Sequence, residues 1–202
     1  MRIAIIGAGK VGMALGHGWV RDGHDVVFGV RNPGGRAVLV GRVAGIADAV
    51  RDAEIVVLAT PWAAVESALA AAGSLDGRVL VDCTNPILPG LAGLSVGTTE
   101  SAAERIAALV PRARVVKAFN TTGAGNMANP RFGAQPLTMF YCGDDAEAKR
   151  TVEQLIVALG FAPVDAGSLE SARYLEPLAM LWIHLAHRLG HGPNIGLHLL
   201  RR

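Results

Sequence analysis

The sequence predicts an α/β domain built on a doubly wound, mostly parallel sheet, and three observations predict it. Strand-like and helix-like patterns alternate almost throughout the 202 residues. The strand candidates are short, continuously apolar runs, as expected of strands buried on both faces. Hydrophobic residues make up 51% of the chain and charged ones 18%, which is enough to bury one substantial core and takes the chain out of the disordered class.

The elements follow in order. RIAIIG (Arg2 to Gly7) reads as the first strand, and a helix over Lys10 to Asp22 closes on DGHD. DVVFGVR is the second strand, GIADAVRDA a helix and EIVVLAT a strand. PWAAVESALAAA opens a helix with Pro61 in its first turn, where the missing N–H costs little. RVLVDCT is a strand, TESAAERIAALV a helix that Thr99 would cap, and ARVVKAF a strand. LTMFYCG, DAEAKRTVEQLIVALG and APVDAG add strand, helix and strand. A final helix is expected from about Ser168, fading at the glycines after Leu189. Residues 1–167 thus read as the sheet domain, and residues 168–202 as a short helical segment of the same unit, packed at the rim of its site. No internal repeat or low-complexity linker appears.

Composition narrows the function. A net charge of +2, scattered along the chain, gives no basis for nucleic-acid binding. No basic region precedes an apolar signal segment, and Pro177 to Leu189 is too short to span a bilayer. Cys83 and Cys142 show no metal-ligand spacing and fit a reducing compartment, so a cytoplasmic protein is expected.

GAGKVG places Gly7, Gly9 and Gly12 in the GxGxxG spacing, between a strand and a helix. The first glycine allows the tight turn, the second lets a pyrophosphate approach, and the third lets the helix pack close. With Ala8, Lys10 and Val11 they form a Rossmann-type phosphate turn, whose helix N-terminus offers free N–H groups. An NAD-binding fold places an acid some 20 residues on, against the ribose 2′-hydroxyl. Here Val30, Arg31 and Asn32 occupy that place. An acid would repel a 2′-phosphate, whereas the planar fork of Arg31, with Arg36 from the GGR turn, would pair with it. The cofactor read from this stretch is NADP(H). The competing reading makes both arginines solvated surface charges.

Ligands of such sheets bind beyond the carboxyl ends of the strands. Those ends read ATPW, DCTNP and KAFNTTG. They supply Thr60, Pro61, Trp62, Thr84, Asn85, Pro86, Asn120, Thr121 and Thr122, all without charge. Reducing a ketone ordinarily calls for a titratable proton donor. Hydride exchange between two ring cofactors needs mainly positioning and a dry face. The neutral ends favour the second chemistry, with Thr60, Pro61, Trp62, Asn85, Pro86, Asn120 and Thr121 as positioning residues and no assigned catalyst. Asp82 and Lys117, the nearest charges, read as structural or rim groups.

IIGAGKVGMALG, GVRNP, TPW, DCTNP, VVKAFNTTG, YCGDDAEAK, LGFAPVDAGSL and YLEPLAMLWIHLA run in order along the chain. On these motifs it resembles the NADPH-dependent coenzyme F420 reductases, and it is similar to the cytosolic domain of the six-transmembrane metalloreductases. The resemblance implies a single Rossmann domain, usually a homodimer, with NADP(H) over Gly7 to Gly12 and Arg31 at the 2′-phosphate. It implies a deazaflavin stacked on the nicotinamide near Trp62, Pro86, Asn120 and the C-terminal helix. Two departures stand out: Val30 replaces the hydroxyl residue common before the arginine, and the phosphate turn lacks the threonine of archaeal members. The metalloreductase relatives use a flavin and share the KAFNT style of loop, so FAD or FMN reduction, or ferric reduction, is the alternative activity. Their membrane domain is not represented here, so a flavin would be soluble or held by another subunit. A non-catalytic NADP(H) sensor or partner subunit is the alternative of another class. His184, His187 and His191 follow an i, i+3, i+7 spacing, but Gly190, Gly192 and Pro193 break the helix among them and no metal site is expected. His17 and His24 read as surface groups.

Overall fold

The apolar run at the start of the chain forms β1 (Arg2–Ile6), whose alternate side chains enter two different cores. Ile3 and Ile5 face one side, with Leu15 and Trp19; Ala4 and Ile6 face the other, with Val50 and Leu69. This two-sided burial is what the unbroken apolar pattern requires. The computed structural model describes residues 1–35, 40–200 and 202.

Along the chain, β1 is followed by α1 (Lys10–Arg21), β2 (Asp25–Val30), β3 (Arg42–Gly45), α2 (Ile46–Arg51), β4 (Ile55–Leu58), α3 (Val65–Ala72) and β5 (Val79–Asp82). Then come α4 (Ala102–Leu109), β6 (Arg114–Lys117), α5 (Ala124–Ala128), β7 (Arg131–Phe132), β8 (Gln135–Pro136), β9 (Thr138–Gly143), α6 (Ala146–Ala158), β10 (Ala162–Asp165) and α7 (Ala172–Ile183). The eight-stranded sheet has the order β10-β9-β6-β5-β4-β1-β2-β3, and β7 and β8 form a separate hairpin. β3 to β6 are parallel throughout, with Ile3 opposite both Val26 and Ile55. The chain reverses at β9, antiparallel to β6, and β10 runs parallel to β9. The strand order turns around between β1 and β4, the switch point at which such sheets open a ligand crevice. None of the described helices is long and apolar enough to cross a membrane.

The expected Thr99 cap moves by two residues. Ser101 caps α4: its Oγ accepts from Glu104 N at 3.1 Å, and Glu104 accepts from Ser101 N at 2.8 Å. Only Ser101 has a glutamate three residues on, so only it completes the reciprocal box. The last helix starts later than Ser168. A 3-10 turn over Leu169–Ser171 precedes α7, and a π-turn over His184–Arg188 ends it before Gly190, whose φ is 76°.

Candidate functional site

Each glycine of the turn after β1 meets a different constraint. Gly7 has φ 110°, and a Cβ there would lie 2.5 Å from the Ala59 carbonyl oxygen. A Cβ on Gly12 would lie 2.1 Å from the Gly7 oxygen, so α1 can approach only without one. A Cβ on Gly9 would meet nothing within 4 Å. Gly9 also heads α1 without any side-chain cap, and no acid occupies the first turn. Open space in front of uncapped amides at a positive dipole end is what an anionic phosphate group needs.

A cavity of about 320 Å³ opens at this switch point. Gly7, Ala8 and Gly9 form one wall, Val30 and Arg31 another, and Thr60 and Pro61 a third. Ser67 and Ala68 of α3 close it. Thr60 Oγ1 is buried and has no hydrogen-bond partner among the described residues. Arg31 is exposed just beyond β2, and no acid pairs with it among the described residues. Asn32 is exposed beside it, as is Lys10 at the first position of α1, and Val11 is half-buried. Arg36 lies outside the described residues.

The neighbouring strand ends hold an oriented pair of amides. Asn85 Nδ2 donates to the Asn120 main-chain oxygen at 2.9 Å, which fixes the Asn85 amide with its Oδ1 toward the Asn120 side chain. Asn120 Nδ2 donates to that oxygen at 3.0 Å and to the Leu175 carbonyl of α7 at 3.1 Å. Pro86 is buried, and its carbonyl accepts from Ser95 N at 2.7 Å and Ser95 Oγ at 3.1 Å, closing the loop after β5. Thr121 is buried against Met139 Sδ, and Thr84 is buried with no hydrogen-bond partner for its hydroxyl among the described residues. Trp62 stands apart. It lines a separate groove of about 500 Å³ with Glu66, Arg105 and Leu109 and does not face the cavity at the phosphate turn.

Asp82 and Lys117 are not rim groups. Both are fully buried in one network with Glu176, which the sequence reading did not single out. Lys117 Nζ donates to Asp82 at 2.8 Å, to Glu176 at 2.9 Å and to the Thr84 carbonyl at 2.6 Å. Glu176 also accepts from the first amides of α4, Ala102 N at 2.9 Å and Ala103 N at 3.1 Å. Burial favours the neutral amine, but the two carboxylates outweigh it and raise the Lys117 pKa, so the ammonium persists. The signal for Glu176 was available: it is the one acid within the apolar stretch YLEPLAMLW. Phe119 carried no such signal. It is buried at φ 60°, against Trp19 with ring centroids 5.7 Å apart, and turns the chain into Asn120. Burial raises both thiol pKa values, Cys142 to about 12 and Cys83 well above its ordinary value. His187 meets the Trp182 ring edge-on at 6.0 Å, while His191 lies beyond Gly190.

Residues 2–86, which carry the glycine turn after β1 and the first two neutral strand ends, match the family model described as NADP oxidoreductase, coenzyme F420-dependent. A solved structure from Arthrobacter sp. FB24, assigned as an F420-dependent NADP reductase, is 35% identical, with a TM-score of 0.91 and full coverage of both chains. The metalloreductase STEAP3 of Rattus norvegicus is 37% identical over 186 residues, which is 89% of this chain and 37% of that protein. The chain therefore spans little more than a third of this curated relative. The F420-dependent NADP reductase of Methanothermobacter marburgensis is 28% identical over 210 residues, covering 92% of each chain.

Proposed function

The chain belongs to the family of F420-dependent NADP reductases, and on that premise we propose that it is an oxidoreductase that moves hydride between NADP(H) and coenzyme F420. The observation that carries the reading is the phosphate cradle. Gly9 is open, the α1 amides are uncapped, and Arg31 has no acid beside it among the described residues. These residues fit a dinucleotide with a 2′-phosphate. Gly7 to Gly12 would hold the pyrophosphate, Lys10 would add charge at its edge, and Arg31 and Asn32 would take the 2′-phosphate. Val30 offers that phosphate no side-chain ligand. When bound, the nicotinamide supplies or receives the hydride.

The chain's own part is positioning. Thr60 and Pro61 border the cavity, and Thr60 Oγ1 is free to serve a bound group. Asn85 and Asn120 lock the next two strand ends together. Lys117, the only cation buried there among the described residues, has all three of its protons engaged and is sealed from the mouth. A dedicated proton donor is therefore not part of the proposal. Residues 1–167 carry the dinucleotide, and residues 168–202 complete the rim through α7.

The relation to STEAP3 favours a second reading, in which the same site reduces FAD or FMN, or ferric iron through a flavin. Following NADPH oxidation by the purified protein with F420, FMN and FAD in parallel separates the two. Tight NADPH binding with no turnover on any acceptor would instead mark a sensor or partner subunit. A homodimer through the exposed Tyr174 and Leu181 of α7 belongs to the same proposal, and light scattering tests it. So does a cytoplasmic setting, which the free, buried Cys83 and Cys142 would suit.

A further inference from the structure

The loop from Asn120 to Gly123 leaves β6 at the mouth of the sheet, and the C-terminal segment reaches it from far along the chain. Asn126, buried on α5, donates from Nδ2 to Thr122 Oγ1 at 3.0 Å. The same group meets the Ile195 carbonyl at 2.8 Å and the Pro193 carbonyl at 3.4 Å. Trp182 Nε1 of α7 donates to that same Ile195 oxygen at 2.8 Å. The Trp182 ring lies on Gly123, where a Cβ would come within 2.6 Å of it. One carbonyl thus uses both lone pairs to hold the two side chains that grip the loop.

The segment is itself anchored further on. Leu197 O accepts from Thr138 N at 2.9 Å, and Leu199 N donates to Thr138 Oγ1 at 2.9 Å. His198 Nδ1 lies 2.8 Å from the Pro136 carbonyl oxygen. A Cβ on Gly196 would meet the Leu137 side chain at 2.1 Å, so the segment lies flush on the start of β9. The phosphate cradle takes no part in these contacts.

We propose that residues 193–199 form a strap that positions the Asn120–Gly123 loop for the hydride acceptor, with Asn126 and Trp182 as positioning residues. The inference rests on the functional reading above for the word acceptor, and on geometry alone for the word strap. Asn126→Asp places a carboxylate oxygen against the Pro193 and Ile195 carbonyls, which cannot donate, and should release the strap. Trp182→Phe keeps a ring on Gly123 and removes only the donor to Ile195, so it stays informative if Asn126→Asp fails to fold.

Both variants are made in the full chain, and amide hydrogen exchange at residues 120–123 is followed without ligand. Exchange should quicken about tenfold in Asn126→Asp and severalfold in Trp182→Phe, which is the scale of one or two lost hydrogen bonds. With whichever of F420, FMN or FAD the wild type reduces, KM for that acceptor should rise about fivefold, while NADPH Kd stays within about twofold. Unchanged exchange in Trp182→Phe overturns the strap. Faster exchange with an unchanged acceptor KM, or with an equal loss of NADPH affinity, overturns its positioning role. A wild type that reduces none of the three overturns the functional reading instead, and the exchange result still decides the strap.

Discussion

Lys117→Met tests the buried network most directly. The variant keeps a side chain of similar length but removes three hydrogen bonds, to Asp82, Glu176 and the Thr84 carbonyl. It leaves two fully buried carboxylates without their shared cation. Glu176 retains the Ala102 and Ala103 amides and Asp82 retains the Thr84 amide, so neither is stripped bare. Removing one partner of a buried ion pair costs about 3–5 kcal/mol, a large part of the roughly 5–15 kcal/mol that holds a domain together. For a chain of this size that is a fall in Tm of about 6–20 °C. Urea unfolding of wild type and variant at neutral pH, followed by circular dichroism, measures the deficit. A deficit under about 1 kcal/mol would refute the claim that Lys117 balances two buried charges.

Arg31→Asp should weaken NADPH binding by about 10–100-fold in titration calorimetry and leave NADH within about threefold, because only the 2′-phosphate is lost as a partner. Equal changes for both would remove the phosphate reading of that strand end. Gly12→Ala forces a methyl group against the Gly7 carbonyl, which a Cβ would approach to 2.1 Å. It should cost about 1–3 kcal/mol in urea unfolding and weaken NADPH binding as well. The Arg173 guanidinium holds the Glu104 carboxyl down to about 2, with Ser101 in support. A lowered folded pKa means the stabilisation is complete above the ordinary value of 4.5 and drains away as pH falls toward about 2. Arg173→Ala should therefore lose most stability at neutral pH and converge on the wild type in acid; a constant difference in an acid titration of unfolding would contradict this.

What was legible in the sequence follows a physical divide. The strand–turn–helix at the end of β1 is encoded within about a dozen consecutive residues: Gly7 has the turn geometry and Gly12 the close helix contact that their spacing implied, and a Cβ on Gly9 would meet nothing within 4 Å. β3 was not legible: RVAG is four residues long, has no apolar run and sits at the sheet edge, where one-sided pairing demands little of the side chains. The reversal at β9 was invisible for the opposite reason. A buried strand looks equally apolar in either direction. The α4 cap was readable and misplaced, since SAAE carries the full reciprocal box and TESA does not. Phe119 at φ 60° has no local cause at all; its conformation is held by Trp19, Phe161 and Met139.

The same divide explains why the proposed hydride donor is easier to read than the proposed acceptor. The proposed donor side is built by neighbours in sequence around the β1 turn and the end of β2, so a short motif suggests its chemistry. The proposed acceptor side is assembled from distant pieces. Asn85 meets Asn120, Asn120 meets Leu175, and Ile195 closes over Asn126 and Trp182. Lys117 and Glu176, 59 positions apart by number, set α7 against the strand ends without showing a charge at the mouth. A surface made this way can change its acceptor through the placement of α7 and the strap while the phosphate turn stays as it is. If so, exchanging residues 168–202 for the matching segment of a relative with another acceptor should shift acceptor KM and leave NADPH Kd untouched. NADPH affinity that moved with the exchange would show that the two sides are one rigid unit.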